Sequence, residues 1–417
     1  MTTIDKVGTE YASLAGTPLA PASFDDDHRR DRRTLPDEAT LAEFRDRARQ
    51  SDETNTYFHE DLAVLREIGY LAATVPVEFG GWGLDLGTFA QLQRRLAHYA
   101  PATALGMTMH HYWIGIAVEL ERFGDTSCRW ILERAAAGDV FAAGHAEMGN
   151  DAPVVMSTTL AERVDGGYRF TGHKMFGSNG PVWNHLGVHG IDVSDPAAPV
   201  IVHGFVDRDA DGVTVVPNWN TLGMRPSQSY DTVLDRAFVP DERIGRIVPA
   251  GSDQDLFLFA MNMWALPVFA NVYVGIAERA LELAITSATT KSSVAIPQGT
   301  YAHNPMVQHQ IAEMYLTLDP ARALLDRLLA DFQAGVDHGA EWGPKIVSAK
   351  WNAVEAAKRV VDIALDVTGG GGMVRGNELE RLYRDVRCGG FHPANDALSH
   401  EMVAKTLLAI DPTGPRW

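Results

Sequence analysis

The feature that most constrains this chain is a hydrophobic period that changes twice. From about residue 36 to 137 apolar residues recur at helical spacing. From about 140 to 247 they fall in short β-branched and aromatic runs cut by Gly, Asp, Asn and Pro. After about 252 the helical spacing returns and continues nearly to the end. A β unit with helical blocks on both sides is an uncommon plan for one chain. At 417 residues the chain exceeds what one simple core holds. The expected division is a loosely structured arm over 1–35, an N-terminal helical domain over 36–138, a middle β-sandwich or barrel over 139–250, and a C-terminal helical bundle over 251–417.

Local signals refine that plan. The mixed-sign run Asp25 to Arg33 reads as a solvated arm. Leu35-Pro36-Asp37-Glu38 reads as a helix start. Further helical patterns lie at about 62–70, 86–99, 103–123 and 125–137, and Val75 to Leu84 is a Pro- and Gly-rich break. Tyr168-Arg169-Phe170-Thr171, 200–206 and 212–216 read as strands. Long helical patterns then cover about 253–290, 305–336, 340–368 and 393–410, with Gly369 to Gly372 between the last two.

Composition removes several classes of function. The formal net charge is −18, so no basic face is available to displace phosphate counterions from nucleic acid. The same balance gives no reason to expect an anionic membrane as partner. Cys128 and Cys388 form no CxxC pair, which suits a reducing, cytoplasmic setting. The first residues lack the basic and apolar regions of a secretory signal. No HExxH, Walker loop, GxSxG elbow or metal-ligand cluster is present.

Five motifs in order resemble the acyl-CoA dehydrogenase superfamily: Pro76 to Gly83, Gly166 to Lys174, Thr221 to Arg225 with Val239-Pro240, Gly369 to Gly372, and Leu379 to Asp385. The resemblance covers roughly 55–412. It implies an acyl-CoA dehydrogenase-like fold: N-terminal α-helical domain, middle β-sandwich or barrel, and C-terminal four-helix bundle. It also implies a flavin, usually FAD with FMN as the alternative, between the β domain and the C-terminal helices. Assembly as a homotetramer or homodimer is implied as well.

The dehydrogenases of that superfamily need a carboxylate to take the proton next to a thioester. Its usual place, nine residues after the Arg of Arg384-Asp385, is Pro393. Its minority place is about Ala265. The two-component monooxygenases on the same fold, which use reduced flavin and O2, tend to follow Arg-Asp with a His and then an Asn. His392 and Asn395 fit that pattern. An imidazole there can donate to a peroxide oxygen or take a substrate proton near neutral pH. The alternative for His392 is packing against a helix start at Pro393.

Ser178 stands where the superfamily places a Ser or Thr beside the flavin N5, and Phe176 replaces the usual Trp on the ring. Gly149 and Asp151 persist from a flavin-contacting motif, in which Asn150 replaces Ser. Around the far end of the cofactor, Lys291 and Asp366 replace the family's usual residues, next to Gly369 and Gly370. His110, His111, Trp264 and Met261, with Phe269, are the candidates to line a pocket for a flat aromatic substrate. Core packing competes for Trp264, Met261 and Phe269. For the two histidines the competing reading is one buried, satisfied ring beside one exposed ring.

The expectation is therefore a flavin-dependent monooxygenase. A separate reductase supplies reduced flavin, O2 gives a C4a-hydroperoxide, and an indole- or phenol-like molecule is hydroxylated. Two alternatives stand beside it. One is an acyl-CoA or acyl-carrier-protein dehydrogenase with its base relocated to Asp396 or Glu401. The other is a non-catalytic subunit of the same fold.

Overall fold

The computed structural model describes residues 34–410, apart from Pro153, Ala295, Pro297 and Gln298. Most of the expected N-terminal arm lies outside the described residues. The first block contains α1 (Glu38–Thr54), α2 (His59–Glu67), α3 (Leu86–Tyr99), α4 (Pro101–Arg122) and α5 (Arg129–Ala136). α1 begins where acids follow proline: Asp37 is its N-cap, accepting from Thr40 N at 2.9 Å, which satisfies one of the first unpaired helix amides.

Eight strands follow: β1 (Phe141–Gly144), β2 (Leu160–Val164), β3 (Gly167–Gly177), β4 (His185–Asp192), β5 (Val200–Asp207), β6 (Val213–Val216), β7 (Tyr230–Pro240) and β8 (Ile244–Pro249). Their order is β6-β7-β3-β2-β4-β5-β8, with β1 added to β4. β1 and β2 run parallel to β4, and the remaining pairs are antiparallel. β6 and β8 end the strand path without pairing to each other, so the sheet is an open, sandwich-like layer and not a closed barrel.

The last block holds α6 (Leu256–Thr290), α7 (Pro305–Gln333), α8 (Trp342–Thr368), α9 (Glu378–Arg387) and α10 (Asp396–Leu407). α6, α7, α8 and α10 fall within the four expected helical patterns, and α9 is a further short helix. α9 follows the glycine run and carries the Arg-Asp pair.

α6 is the hub. It packs on α8, on α3 and α4 of the first block, and on α7. It is long and apolar enough to cross a membrane by composition, yet 89% of its most apolar window is buried inside the protein. A helix apolar all round reads as a core helix.

Two glycines let α4 sit between the sheet and α6. A Cβ on Gly187 of β4 would lie 2.0 Å from the Trp113 ring, and one on Gly115 would lie 2.0 Å from the Trp264 ring. Both are steric exclusions, so two indoles seat directly on backbone.

Candidate active site

β3 ends in backbone that few side chains tolerate. Phe176 has φ 60° and Asn179 φ 65°, values a non-glycine residue keeps only when its surroundings impose them. The surroundings do so. Asn179 donates through Nδ2 to Gly106 O at 2.8 Å, and its Oδ1 accepts from Tyr57 Oη at 2.9 Å. Ser178 is buried, its hydroxyl 2.8 Å from Ser229 Oγ, which lies with Ser227 Oγ at 2.7 Å. Phe176 remains 54% exposed, edge-on to Trp219 at 5.9 Å. The result is an open aromatic shelf next to a chain of three hydroxyls.

The segment after Thr221 ties this region to the C-terminal helices. Met224 N donates to Asp385 Oδ1 at 2.6 Å, and Arg384 donates to Leu222 O at 3.0 Å. Arg384 also makes a two-pronged pair with Asp52 of α1, at 2.9 and 2.5 Å. Such bidentate geometry fixes orientation as well as distance. Burial pushes the Asp385 carboxyl up to about 6, against the pull of Arg381 and the Met224 amide.

The turn after α9 carries His392. Its Nε2 lies 2.7 Å from Tyr273 Oη, and its ring stacks on Phe269 with centroids 4.9 Å apart and planes 15° from parallel. Burial, then the nearby Lys350 charge, pulls the imidazole down to about 3. It is neutral at neutral pH and offers one donor and one acceptor. Among the described residues no hydrogen bond joins Ser178 to His392. The segment around 222–229 links their surroundings.

The residues expected at the far end of a flavin come together. Lys291 Nζ donates to Thr368 O at 3.0 Å, which brings the end of α6 to the start of the glycine run. Gly369 and Gly370 are exposed, and a Cβ on Gly370 would meet nothing. Among the described residues, Thr368 Oγ1 is buried without a hydrogen-bond partner. A lysine, an orphaned hydroxyl and open glycine backbone fit a phosphate-bearing tail. Phe176 and Ser178 fit a flat ring with a polar edge. Asp366 is exposed beside them.

Other expected site residues are placed differently. His110 accepts from Phe141 N at its Nδ1 and donates from Nε2 to Leu71 O, at 3.1 and 2.8 Å. His111 donates from Nε2 to Tyr70 O at 3.0 Å and accepts from Thr74 Oγ1 at 2.8 Å. Both rings are fully buried and leave no nitrogen for a substrate; burial holds His110 down to about 4. They stitch α4 to the chain before it.

Trp264 seats on α4 and donates to Glu119 at 3.3 Å, and Met261 is buried in the same core. Asn395 is exposed and caps α10, accepting from Leu398 N at 3.0 Å, and among the described residues no hydrogen bond joins it to His392. Asn150 spends its amide within its own loop, on Glu147, Met156 O and Ala152 N. Gly149 supplies the left-handed turn there, with φ 78°. Asp396 is exposed and accepts from Trp351, and Glu401 pairs with Lys405.

One cluster escaped the sequence reading. Lys174 Nζ lies 2.6 Å from Glu147 Oε1, both almost fully buried, and also donates to His189 O at 2.6 Å. Glu147 further accepts from Ser157, Thr158 and Thr159. His189 and His203 are register partners on β4 and β5, and His145 faces both. The available signal was a lone His in the middle of two apolar strand runs.

Profiles described as the acyl-CoA dehydrogenase N-terminal and C-terminal domains match residues 26–139 and 263–408. L-evernosamine nitrososynthase of a Micromonospora strain is 30% identical, over 82% of this chain and 82% of its own length. The structure of KijD3 in complex with FMN and dTDP-3-amino-2,3,6-trideoxy-4-keto-3-methyl-D-glucose is 26% identical and superposes with a TM-score of 0.74, covering 89% of this chain and 92% of KijD3. TdsC of Paenibacillus sp. A11-2, solved with FMN and indole, shares the fold at a TM-score of 0.76 and 18% identity, over 96% and 98% of the two chains. The chain belongs to the acyl-CoA dehydrogenase family.

Proposed function

We propose that this chain is a flavin-dependent monooxygenase that takes reduced flavin from a separate reductase and uses O2 to hydroxylate a small molecule. The observation that carries the reading is a substitution of chemistry at the expected base positions. Pro393, in the turn after α9, and Ala265, on α6, occupy the places of a dehydrogenase base, while His392, next to Pro393, is a neutral, oriented imidazole. When bound, the flavin supplies the oxygen activation. Ser178 offers a buried hydroxyl whose direction Ser229 and Ser227 set. His392 is placed to hold or move a proton, with Tyr273 fixing its Nε2. Phe176, Ser178, Lys291 and Gly369 to Gly370 are the residues that would hold the cofactor. The FMN bound in KijD3 and TdsC favours that shorter flavin over FAD.

For the substrate, an indole- or phenol-like ring is the first reading, in keeping with the indole seen in TdsC. A second reading has its own support. The nitrososynthase relative and the amino-sugar nucleotide bound in KijD3 favour oxygen delivery to the nitrogen of an amino sugar.

One experiment separates the readings. Protein, FMN, a flavin reductase and O2 are offered indole, a phenol or a dTDP-amino sugar, and products are identified by mass. A product heavier by one oxygen is expected from one class. Anaerobic bleaching of oxidised flavin by an acyl-CoA, with no oxygenated product, would instead establish a dehydrogenase. Failure to bind either flavin would point to a non-catalytic subunit.

A further inference from the structure

A charged side chain is buried behind the turn that carries His392. Lys350, on α8, is 2% exposed. Its ammonium donates to three carbonyl oxygens of one short stretch: Gly389 O at 3.1 Å, His392 O at 3.1 Å and Ala394 O at 2.9 Å. Three donors thus meet three acceptors. Among the described residues its charge is met by these carbonyls and by no bonded carboxylate. The acidic influence that reaches it comes from Glu355, itself paired with Lys358.

An apolar side chain would fill this place without the cost of burying a charge. What the charge provides is geometry, because no aliphatic residue can bind three carbonyls. The same turn is pinned again by Ser399 Oγ on Ala394 O at 3.1 Å. It is pressed close at Gly389, where a Cβ would stand 3.0 Å from Val354 and 3.1 Å from the Tyr273 ring. The backbone of His392 is therefore held by Lys350 while its ring is held by Tyr273 and Phe269.

We propose that Lys350 is a positioning residue for the proposed oxygenation: its ammonium fixes the 389–394 turn and thereby sets where the His392 imidazole points. This rests on the reading of His392 as the residue that handles the proton. Lys350 itself touches neither ring nitrogen. Loss of the tether is expected to free the turn and let the ring rotate away from Tyr273, with the core of α6 and α8 left in place.

The test uses the full-length chain and two readouts. In flavin-free protein labelled with 15N-histidine, the His392 ring signals are assigned by their loss in His392→Asn. The wild type is expected to show one neutral tautomer, and Lys350→Met to show averaged tautomers. Lys350→Gln keeps two N–H donors and is expected to fall between them, so it serves if the methionine variant does not fold.

In the second readout, FMN, reductase, O2 and indole or a dTDP-amino sugar are supplied, and product per flavin oxidised is measured. Lys350→Met is expected to lose roughly 10- to 100-fold, the scale of a small misplacement. The Lys350→Met/His392→Asn double variant should fall no lower than His392→Asn alone. Wild-type His392 signals in Lys350→Met, or losses that multiply in the double variant, would overturn the proposal. If wild-type protein oxygenates no probe, the functional reading fails, and the tautomer measurement still decides whether Lys350 sets His392.

Discussion

Two regions of this molecule bury a lysine next to a histidine, and they stabilise the charge in different ways. In the β unit Lys174 faces Glu147 at 2.6 Å, and Glu147 collects further hydrogen bonds from the 157–159 backbone and hydroxyls. In the C-terminal helices Lys350 has, among the described residues, carbonyls alone. Burial pulls both ammonium groups down to about 8; Glu147 limits the fall at Lys174, and Glu355 works the same way, from further off, at Lys350. For Glu147, burial is the largest influence and acts upward; the Lys174 charge, with hydrogen bonds from Lys174, Thr159 and the Thr158 amide, together outweighs it and brings the carboxyl down to about 2. The β-unit lysine is half of a pair, so its loss strands a charge. The helical lysine is a clamp on backbone, so its loss strands only neutral carbonyls.

That difference gives the largest expected effect. Lys174→Met leaves an unpaired carboxylate buried in the β unit and should destabilise by about 3–5 kcal/mol. Lys350→Met should cost about 1–3 kcal/mol, the scale of a few lost hydrogen bonds. Denaturant unfolding of the two variants measures both. Equal losses would break the comparison. A double variant, Lys174→Met with Glu147→Gln, should recover part of the loss, because the stranded charge is gone.

Acid should separate the regions next. The β unit holds His145, His189 and His203 with pKa values lowered by burial first and neighbouring charges second, whereas the turn at 392 holds one such ring. In each, the folded form resists the proton that the unfolded chain accepts below about 6.5. Their contribution to stability is therefore full above 6.5 and lost progressively as pH falls toward the folded values, about 3 for His203 and His392. Asp61 and Asp385, raised by burial to about 6, oppose this between 6 and the ordinary carboxylate range. Each unopposed histidine contributes at most about 1.4 kcal/mol per pH unit. The melting temperature should drop between pH 7 and 5, with β-unit amides exchanging before those of α8. A flat profile over that range would remove the β unit's histidines from the account.

A smaller effect concerns His203 alone. Its ring is buried, and among the described residues neither nitrogen makes a hydrogen bond of acceptable geometry, although the Val154 backbone lies near enough to favour its charged form. His203→Phe exchanges unsatisfied polar atoms for apolar ones of similar shape, so neutral stability is remaining close to wild type, within about 1 kcal/mol. The acid slope should fall by about one proton. Thermal melts at pH 7.5 and 5.5 compare the two.

The same contrast shows what the sequence could reveal. Periodicity separated helical blocks from strands, because α6, α8 and the central strands repeat their apolar residues over many turns or alternations. It could not show that Lys174 points inward, since one residue's direction in β3 depends on a register bulged between Phe170 and Gly172. Nor could it separate His110 and His111 from substrate ligands, because both nitrogens of each are consumed by backbone or hydroxyl partners more than 30 residues away in the chain. Family spacing picked out Ser178 and His392, and the structure gives both a defined hydrogen-bond partner. The same spacing also picked Asn395, three residues on, whose Oδ1 accepts from Leu398 N as a helix cap.

Asn395 allows the smallest and cleanest test. As the N-cap of α10 its Oδ1 accepts from Leu398 N, and its backbone conformation, φ −69° and ψ 179°, is the extended form that caps require. Aspartate caps as well as asparagine, and alanine does not. Asn395→Ala should therefore cost about 1 kcal/mol, and Asn395→Asp close to nothing. Asp at that position also adds a negative charge to a helix N-terminus, which the helix dipole favours. A residue acting on substrate would show the opposite order, since a carboxylate alters the hydrogen-bond donors far more than it alters a cap. If Asn395→Asp keeps stability but loses turnover, Asn395 belongs with His392. If turnover follows stability in both variants, the turn contributes one side chain, His392, to the chemistry.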